Sequence, residues 1–479
     1  MMHFPSDDSP ADDEESWTDA LPICQHSGIG SHQNQSYRGD GSRTHYKESE
    51  DFFFHFRTDN AQTYLYAIFD GYDGKKVASF AHQRLPAELL LGQLEGHTED
   101  IKVKAILRQA ILTVERSYFE TIDSVLAERA MLTLNLPEGY DHIGHTPALT
   151  HQEEIAQLRA LDERLRGGTA LMVALLHHQK LYIANVGDSR ALLCTRGKDR
   201  TLDVVQVSVD HSLRNDDEVL RLEQLGLPTN TFQGEPLFGD SYATRTIGNF
   251  SVKGGYREKP ELRMASREPV IADPDIIGGL GVKDREGFLV MYTHGFWQAL
   301  EAATGTNHVD KDIADMVEKE FSQQCTLSSV AQAVVDRVVR MHHGAYMNGG
   351  KQKQLKRRED ITVIVRNFNF PLGQGFHIYI PPSDMNVREN YPVQTPIFDP
   401  SKDLPPGANG VSSTQSTPVP SEHTPTPTSG LDTNTSSEGS DQPFPGAAGD
   451  QEQDIEAYTD FTNFKLAIAN AKMEDLFIS

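Results

Sequence analysis

The chain has 479 residues, too many for one ordinary domain, with 44 Lys and Arg against 69 Asp and Glu and a formal charge of −25. Such acidity argues against nucleic acid and anionic membrane as partners, since both select for basic patches. Three scattered cysteines, Cys24, Cys194 and Cys325, lack metal-ligand spacing and point to a reducing, cytoplasmic setting. Residues 1–15 are acidic and poor in apolar groups, so they read as disordered and without a secretory core. No apolar run approaches the length of a membrane span.

Residues 16–370 read as one globular region. QTYLYAIFDGYDG (62–74) is a strand entering an Asp-Gly turn, and 78–94 and 102–130 carry the apolar spacing of two amphipathic helices. Residues 169–197 form three apolar segments broken by HHQK and GDS, predicting an antiparallel meander. GFLVMYTHGFW (287–297) and DITVIVRNF (360–368) read as buried strands, with helices at 308–321 and 328–346 beside them. Hairpins with clustered helices predict an α+β fold around a mostly antiparallel sheet core. The pairs His177-His178 and His342-His343 read as solvated turn residues, Asp188-Ser189-Arg190 as a structural turn, and KQKQLKRRED (351–360) as a solvated loop.

Composition changes near residue 371. Fourteen of the 25 prolines lie between Pro371 and Pro445 among Ser, Thr, Gly and Asn, which predicts a disordered linker over 371–450. Thr395, Thr417, Thr424 and Thr426 each precede a proline, the local signature of proline-directed kinases. Periodicity returns over 451–479, where Tyr458, Phe461, Phe464 and Ile468 fall on one stripe and Asp454 or Asp460 can cap a helix. An amphipathic helix on a tether needs a partner surface for that stripe.

Seven segments resemble, in order, the motifs of type 2C (metal-dependent) protein phosphatases: FDGYDG (69–74), NVGDSRALLC (185–194), VDHSLRNDDEVLRLEQLG (209–226), TRTIGNF (244–250), PVIADPDI (269–276), THGFWQAL (293–300) and EDITVIV (359–365). The resemblance implies a four-layer sandwich, two central antiparallel β-sheets flanked by helices, with the active site in a cleft at one sheet edge. It also implies two divalent cations roughly 3.5–4 Å apart, held by carboxylates and bridged by the attacking water. Several positions depart from that chemistry. Ser31 stands for the phosphate-binding arginine, Gln35 and Ser36 for an acidic pair, and His294 for the aspartate that contacts both metals. Asp70 and Gly71 are kept, but Tyr72 and Asp73 replace His and Gly, Asn249 replaces an Asp, and Glu359-Asp360 replaces Asp-Asn. An imidazole has one lone pair and cannot bridge two hard cations. No catalytic, cofactor or metal site is therefore expected, with Asp70, Gly71, His294, Glu359 and Asp360 as vestigial positions.

These losses, the linker and the aromatic terminal segment resemble the adaptor branch of the family, which binds and activates the TGF-β-activated MAP kinase kinase kinase. The resemblance implies a kinase contact through Tyr458, Asp460, Phe461, Phe464 and Ile468. It further implies an inhibitor-of-apoptosis protein on the core domain and a stress-activated MAP kinase on the linker. Two alternatives are a weak Mn²⁺-dependent Ser/Thr phosphatase and a terminal helix that folds back on the core as a lid.

Overall fold

The computed structural model describes residues 21–44, 47–58, 62–135, 151–229, 243–349 and 353–373. First come the strands Ser27–His32 (β1), Gln35–Ser36 (β2), Phe52–Arg57 (β3) and Thr63–Tyr72 (β4). Four helices follow, Lys76–Leu90 (α1), Asp100–Thr121 (α2), Asp123–Leu134 (α3) and Gln152–Arg164 (α4). Next are Gly168–His177 (β5), Lys180–Val186 (β6), Arg190–Arg196 (β7), Leu202–Gln206 (β8) and the helix Asp216–Gln224 (α5). The short strand Ile247–Gly248 (β9) precedes Asp275–Gly281 (β10) and Gly287–Tyr292 (β11). The helices His294–Thr304 (α6), Val309–Gln323 (α7), Leu327–Met347 (α8) and Lys353–Lys356 (α9) lead to Arg357–Arg358 (β12) and Ile361–Phe368 (β13).

Two antiparallel sheets carry the core, ordered β1-β13-β11-β7-β8 and β10-β6-β5-β4-β3 with β9 added to β5, and β12 pairs with β2 in a separate two-stranded sheet. Side-chain alternation along each strand sorts the apolar residues into layers. On β4, Leu65, Ala67 and Phe69 join the core beneath α1 and α2, while Tyr66 and Ile68 face the second sheet. On β11, Leu289 and Met291 meet them from the other side, and Phe288, Val290 and Tyr292 pack under α6, α7 and α8. The expected four-layer α+β sandwich is the fold observed.

Gly28 and Gly30 on β1 explain how closely α8 lies on its sheet. A Cβ at either position would come within 2.1–2.5 Å of the backbone of Leu327 or Ala331. The Thr326 hydroxyl starts α8 by accepting from Ser329 N–H at 3.2 Å.

Four expectations are corrected. The segment 169–197 is not one meander: β5 and β6 form a hairpin, but β7 crosses to the other sheet and pairs with β11. The helix expected over 102–130 breaks at the buried Ile122, whose N–H bonds back to Phe119 O at 3.2 Å. His177 and His342 are buried rather than solvated. The His177 ring bonds Thr63 Oγ1 and His97 O, each at 2.8 Å, and the His342 ring lies 6.0 Å from that of Tyr37. In 351–360, Leu355 and Arg358 are also buried, with Arg358 donating to Glu359 O and Gln33 O. Among the described residues no helix is long and apolar enough to cross a membrane.

Candidate functional site

The alternation that builds the inter-sheet core also delivers polar groups to its end. After Tyr66 and Ile68, the next residue of β4 on that face is Asp70. On β13, Thr362 and the preceding Asp360 continue the parity of Ile364. The β6–β7 turn contributes Asp188, α6 opens with His294, and Glu359 precedes β13. Asp70, Asp188, His294, Glu359 and Asp360 line, with Asn34, Lys47, Glu50, Tyr72, Asp73 and Arg357, a cavity of about 60 Å³. That is room for a few water-sized groups. The cavity lies between the ends of the two sheets, not in a cleft along one sheet edge.

His294 and Asp188 occupy its floor as a pair, with Nδ1 2.7 Å from the carboxylate. Burial opposes charge on the imidazole, but Asp188, then Glu359 and Asp70, outweigh it and lift the pKa to about 9. The ring is therefore an imidazolium at neutral pH, and the pairing holds the Asp188 carboxyl below its usual range despite burial. Asp70 accepts the His294 N–H at 2.8 Å and the Ser189 hydroxyl at 3.2 Å, so it also caps α6. Burial pushes its pKa up to about 7, with the His294 charge opposing and Glu359 and Asp188 adding to the rise.

Asp360 is engaged on both oxygens. Oδ1 accepts from the Asn34 backbone N–H at 2.7 Å and Oδ2 from the Glu50 N–H at 3.1 Å, and Asn34 Nδ2 lies 3.1 Å from each. Glu50 Oε1 in turn accepts from Gly74 N–H at 3.0 Å. Asp51 lies beneath, taking the Thr362 hydroxyl at 2.7 Å, and burial, with Asp70 and Asp360 nearby, raises its pKa well above the carboxylate range. Gly71 admits a close approach, since a Cβ there would sit 2.2 Å from Glu50 O. The Asp-His segment positions the turn: His211 Nδ1 accepts from Gly187 N–H at 3.0 Å and Nε2 faces Asp275 at 2.7 Å. Among the described residues no group of three or more His, Cys, Asp or Glu is arranged to hold a metal ion.

Asp70, Gly71, His294, Glu359 and Asp360 thus meet in one place. Residues 31–36 bring no carboxylate to that side, and Glu50 and Asp51, separated from Gln35 by a long loop, supply acidity there from just ahead of β3. Gln35 is buried and bonds Ser36 O and Thr44 O, while Ser31 is exposed on β1 away from the cavity. Tyr72 donates to Thr246 Oγ1 at 2.8 Å and accepts from Asn249 Nδ2 at 3.1 Å. Asp188 is no mere turn residue, and only its place within GDSR signalled this. Tyr458, Asp460, Phe461, Phe464 and Ile468 lie outside the described residues.

Residues 27–343, well over half of the chain, match the sequence profile of protein phosphatase 2C. The chain belongs to the protein phosphatase 2C family. Within that family it is similar to an Arabidopsis thaliana protein described as probable protein phosphatase 2C 43. The two are 26% identical over 319 residues, 61% of this chain and 63% of that one, so this chain spans less than two thirds of that relative. It is equally similar, at 26% over 351 residues, to the Caenorhabditis elegans TGF-beta-activated kinase 1 and MAP3K7-binding protein 1, matching 71% of this chain and 82% of that one. A solved serine-threonine phosphatase 2C from Toxoplasma gondii superposes with a TM-score of 0.43 at 14% identity, covering 72% of this chain and 96% of the other.

Proposed function

We propose that this phosphatase 2C chain is a non-catalytic cytoplasmic adaptor that binds a TGF-β-activated kinase and promotes its activation. The observation that carries this reading is the His294–Asp188 pair on the cavity floor. Two-metal hydrolysis needs carboxylate lone pairs turned toward the ions. Here one such position is an imidazolium, and Asp360 spends its oxygens on N–H donors of Asn34 and Glu50. The residues present do not fit a two-cation centre. The relative named for binding TGF-beta-activated kinase 1 supports the choice of partner.

In this reading 16–370 is a pseudophosphatase scaffold, 371–450 a disordered tether, and 451–479 the kinase-binding helix. Tyr458, Phe461, Phe464 and Ile468 form its apolar stripe, with Asp460 beside them. The scaffold would take an inhibitor-of-apoptosis protein and the tether a stress-activated MAP kinase. Activation requires stronger binding to the kinase state competent for autophosphorylation. The test is titration of the kinase domain with peptide 451–479. Phe461→Ala should weaken binding at least roughly tenfold, about 1.4 kcal/mol. Unchanged binding of that variant, or binding only by 1–370, overturns the assignment.

A second reading, a weak Mn²⁺-dependent Ser/Thr phosphatase, draws on the acidic groups Glu50, Asp70 and Glu359 and the basic Lys47 and Arg357 around the same cavity. Phosphate release from a phosphopeptide by the full chain with Mn²⁺, abolished in Asp70→Ala, would favour it over the adaptor.

A further inference from the structure

The other end of the inter-sheet core holds a second polar pocket. Tyr64 lies six residues before Asp70 on β4, a separation of about 20 Å along the strand. Around Tyr64, the β5–β6 turn, the β10–β11 loop and the end of β13 surround an open cavity of about 620 Å³. Its rim residues His178, Gln179, Asp284 and Asn369 all adopt left-handed backbone conformations, which few non-glycine residues do. The first two form the tight hairpin turn; all four fix where the rim side chains begin.

Arg366 lines this pocket while only 7% exposed. Its Nε donates to Tyr66 OH at 2.7 Å, and Nη1 donates to His26 O at 3.4 Å and to Asn367 O. The guanidinium also sits 5.4 Å from the Tyr64 ring centroid and 5.0 Å from that of Phe368. Every one of these partners is neutral. Among the described residues no carboxylate comes within 4 Å of Arg366, and Nη2 has no hydrogen-bond partner. Taking a cation out of water without a counter-ion is unfavourable: the half-buried Arg190 and Arg245 have one in Asp210 and Glu218, whereas Arg358, the other buried arginine among the described residues, is held like Arg366 by neutral acceptors. Lys283 adds a second positive charge at the rim, against the single carboxylate of Asp284.

We infer that this pocket binds an oxyanion, the phosphate monoester or carboxylate of a ligand group, with Arg366 as its oriented donor and Lys283 as rim attraction. A guanidinium held by neutral acceptors and two aromatic faces is pre-organised for such a group, and the missing anion supplies its counter-charge. His26, whose backbone helps to hold Arg366, is kept toward its neutral form by burial and then by the Arg366 charge.

The test uses the full chain with labelled Val and Leu methyls, followed by NMR at Val282 and Leu176. Phenyl phosphate and benzoate are titrated separately, with benzyl alcohol as the neutral control. At least one anion should give saturable shifts and the alcohol none. Lys283→Glu, at an exposed position, should weaken that binding at least roughly fivefold. Arg366→Lys should abolish saturation while the remaining methyl spectrum stays dispersed. Saturation by only one anion identifies which oxyanion the pocket takes. Absence of saturable shifts with both, equal binding of the alcohol, or unchanged affinity in Lys283→Glu overturns the inference.

Discussion

Replacing His294 by glutamine removes the cation that Asp188 faces at 2.7 Å while keeping a polar side chain of similar size. Burial works against the charged ring, and Asp188 more than compensates, moving its pKa from 6.5 to about 9. A group whose folded pKa is raised stabilises the fold fully below its unfolded pKa and ceases to do so as pH rises through the folded one. For His294 that window runs from 6.5 to about 9. At 1.36 kcal/mol per pH unit, the displacement corresponds to about 3 kcal/mol, near the roughly 3–5 kcal/mol typical of breaking a buried pair. Asp70, raised from 3.8 to about 7 chiefly by burial, also binds its proton more tightly when folded, but its unfavourable contribution grows between those two values. Working between about pH 7 and 9.5 therefore separates the two groups. Urea unfolding followed by far-ultraviolet circular dichroism should place His294→Gln about 3 kcal/mol below wild type at pH 7, the gap closing to under about 1 kcal/mol at pH 9.5. A gap that is the same at both pH values refutes the charged imidazole.

Lys253→Met leaves Glu115 buried beside Gly248 N–H without its cation, so the urea midpoint should fall by an amount equivalent to roughly 3–5 kcal/mol, with partial recovery in the double variant with Glu115→Gln. Gly30→Ala would set a methyl 2.5 Å from the Ala331 backbone, and the melting temperature should drop by at least about 5 °C as β1 and α8 separate. Burial tends to raise the Glu218 pKa, yet Arg221 and Arg245 hold it at about 2 instead of 4.5. Its stabilisation of about 3 kcal/mol is present above pH 4.5 and lost as pH falls through 2, so acid unfolding should be shallower in Glu218→Gln than in wild type.

The sandwich was legible because alternation is local. The apolar run ending in Asp70 shows which residues share a face, and THGFW and EDITVIV carry the same information for β11 and β13. What alternation cannot show is which loop closes on which strand end. Glu50 and Asp51 sit only two and one residues ahead of β3, yet the long loop after Gln35 hides that Glu50 lines the cavity and Asp51 meets Thr362 beside it. The crossing of β7 to the second sheet is set by the Gly187-Asp188-Ser189 turn and its hold on His211, a contact 24 residues away in sequence. His177 and Arg358 look solvated in sequence because their neighbours are polar, and only tertiary packing supplies their partners.

Asp51, Asp70, Asp188, Glu359 and Asp360 crowd the end of one core, and five carboxyl groups there cannot all remain ionised without cations or donors. In a two-metal phosphatase the ions themselves supply that charge. In this chain the supply is internal. Asp188 has the His294 ring, Asp70 has the α6 N-terminus and Ser189, and Asp360 has the N–H groups of Asn34 and Glu50. Burial raises Asp51 well above its ordinary range, which favours the protonated carboxyl. On the proposed reading, the groups that neutralise the acidic cluster are also the ones that occupy the ligand positions. Restoring aspartate at 294 would therefore do two things at once: free Asp188 from its pair, and leave the cluster short of positive charge. A His294→Asp chain should then lose stability in chelator and regain part of it on adding Mn²⁺, whereas wild type should respond to neither.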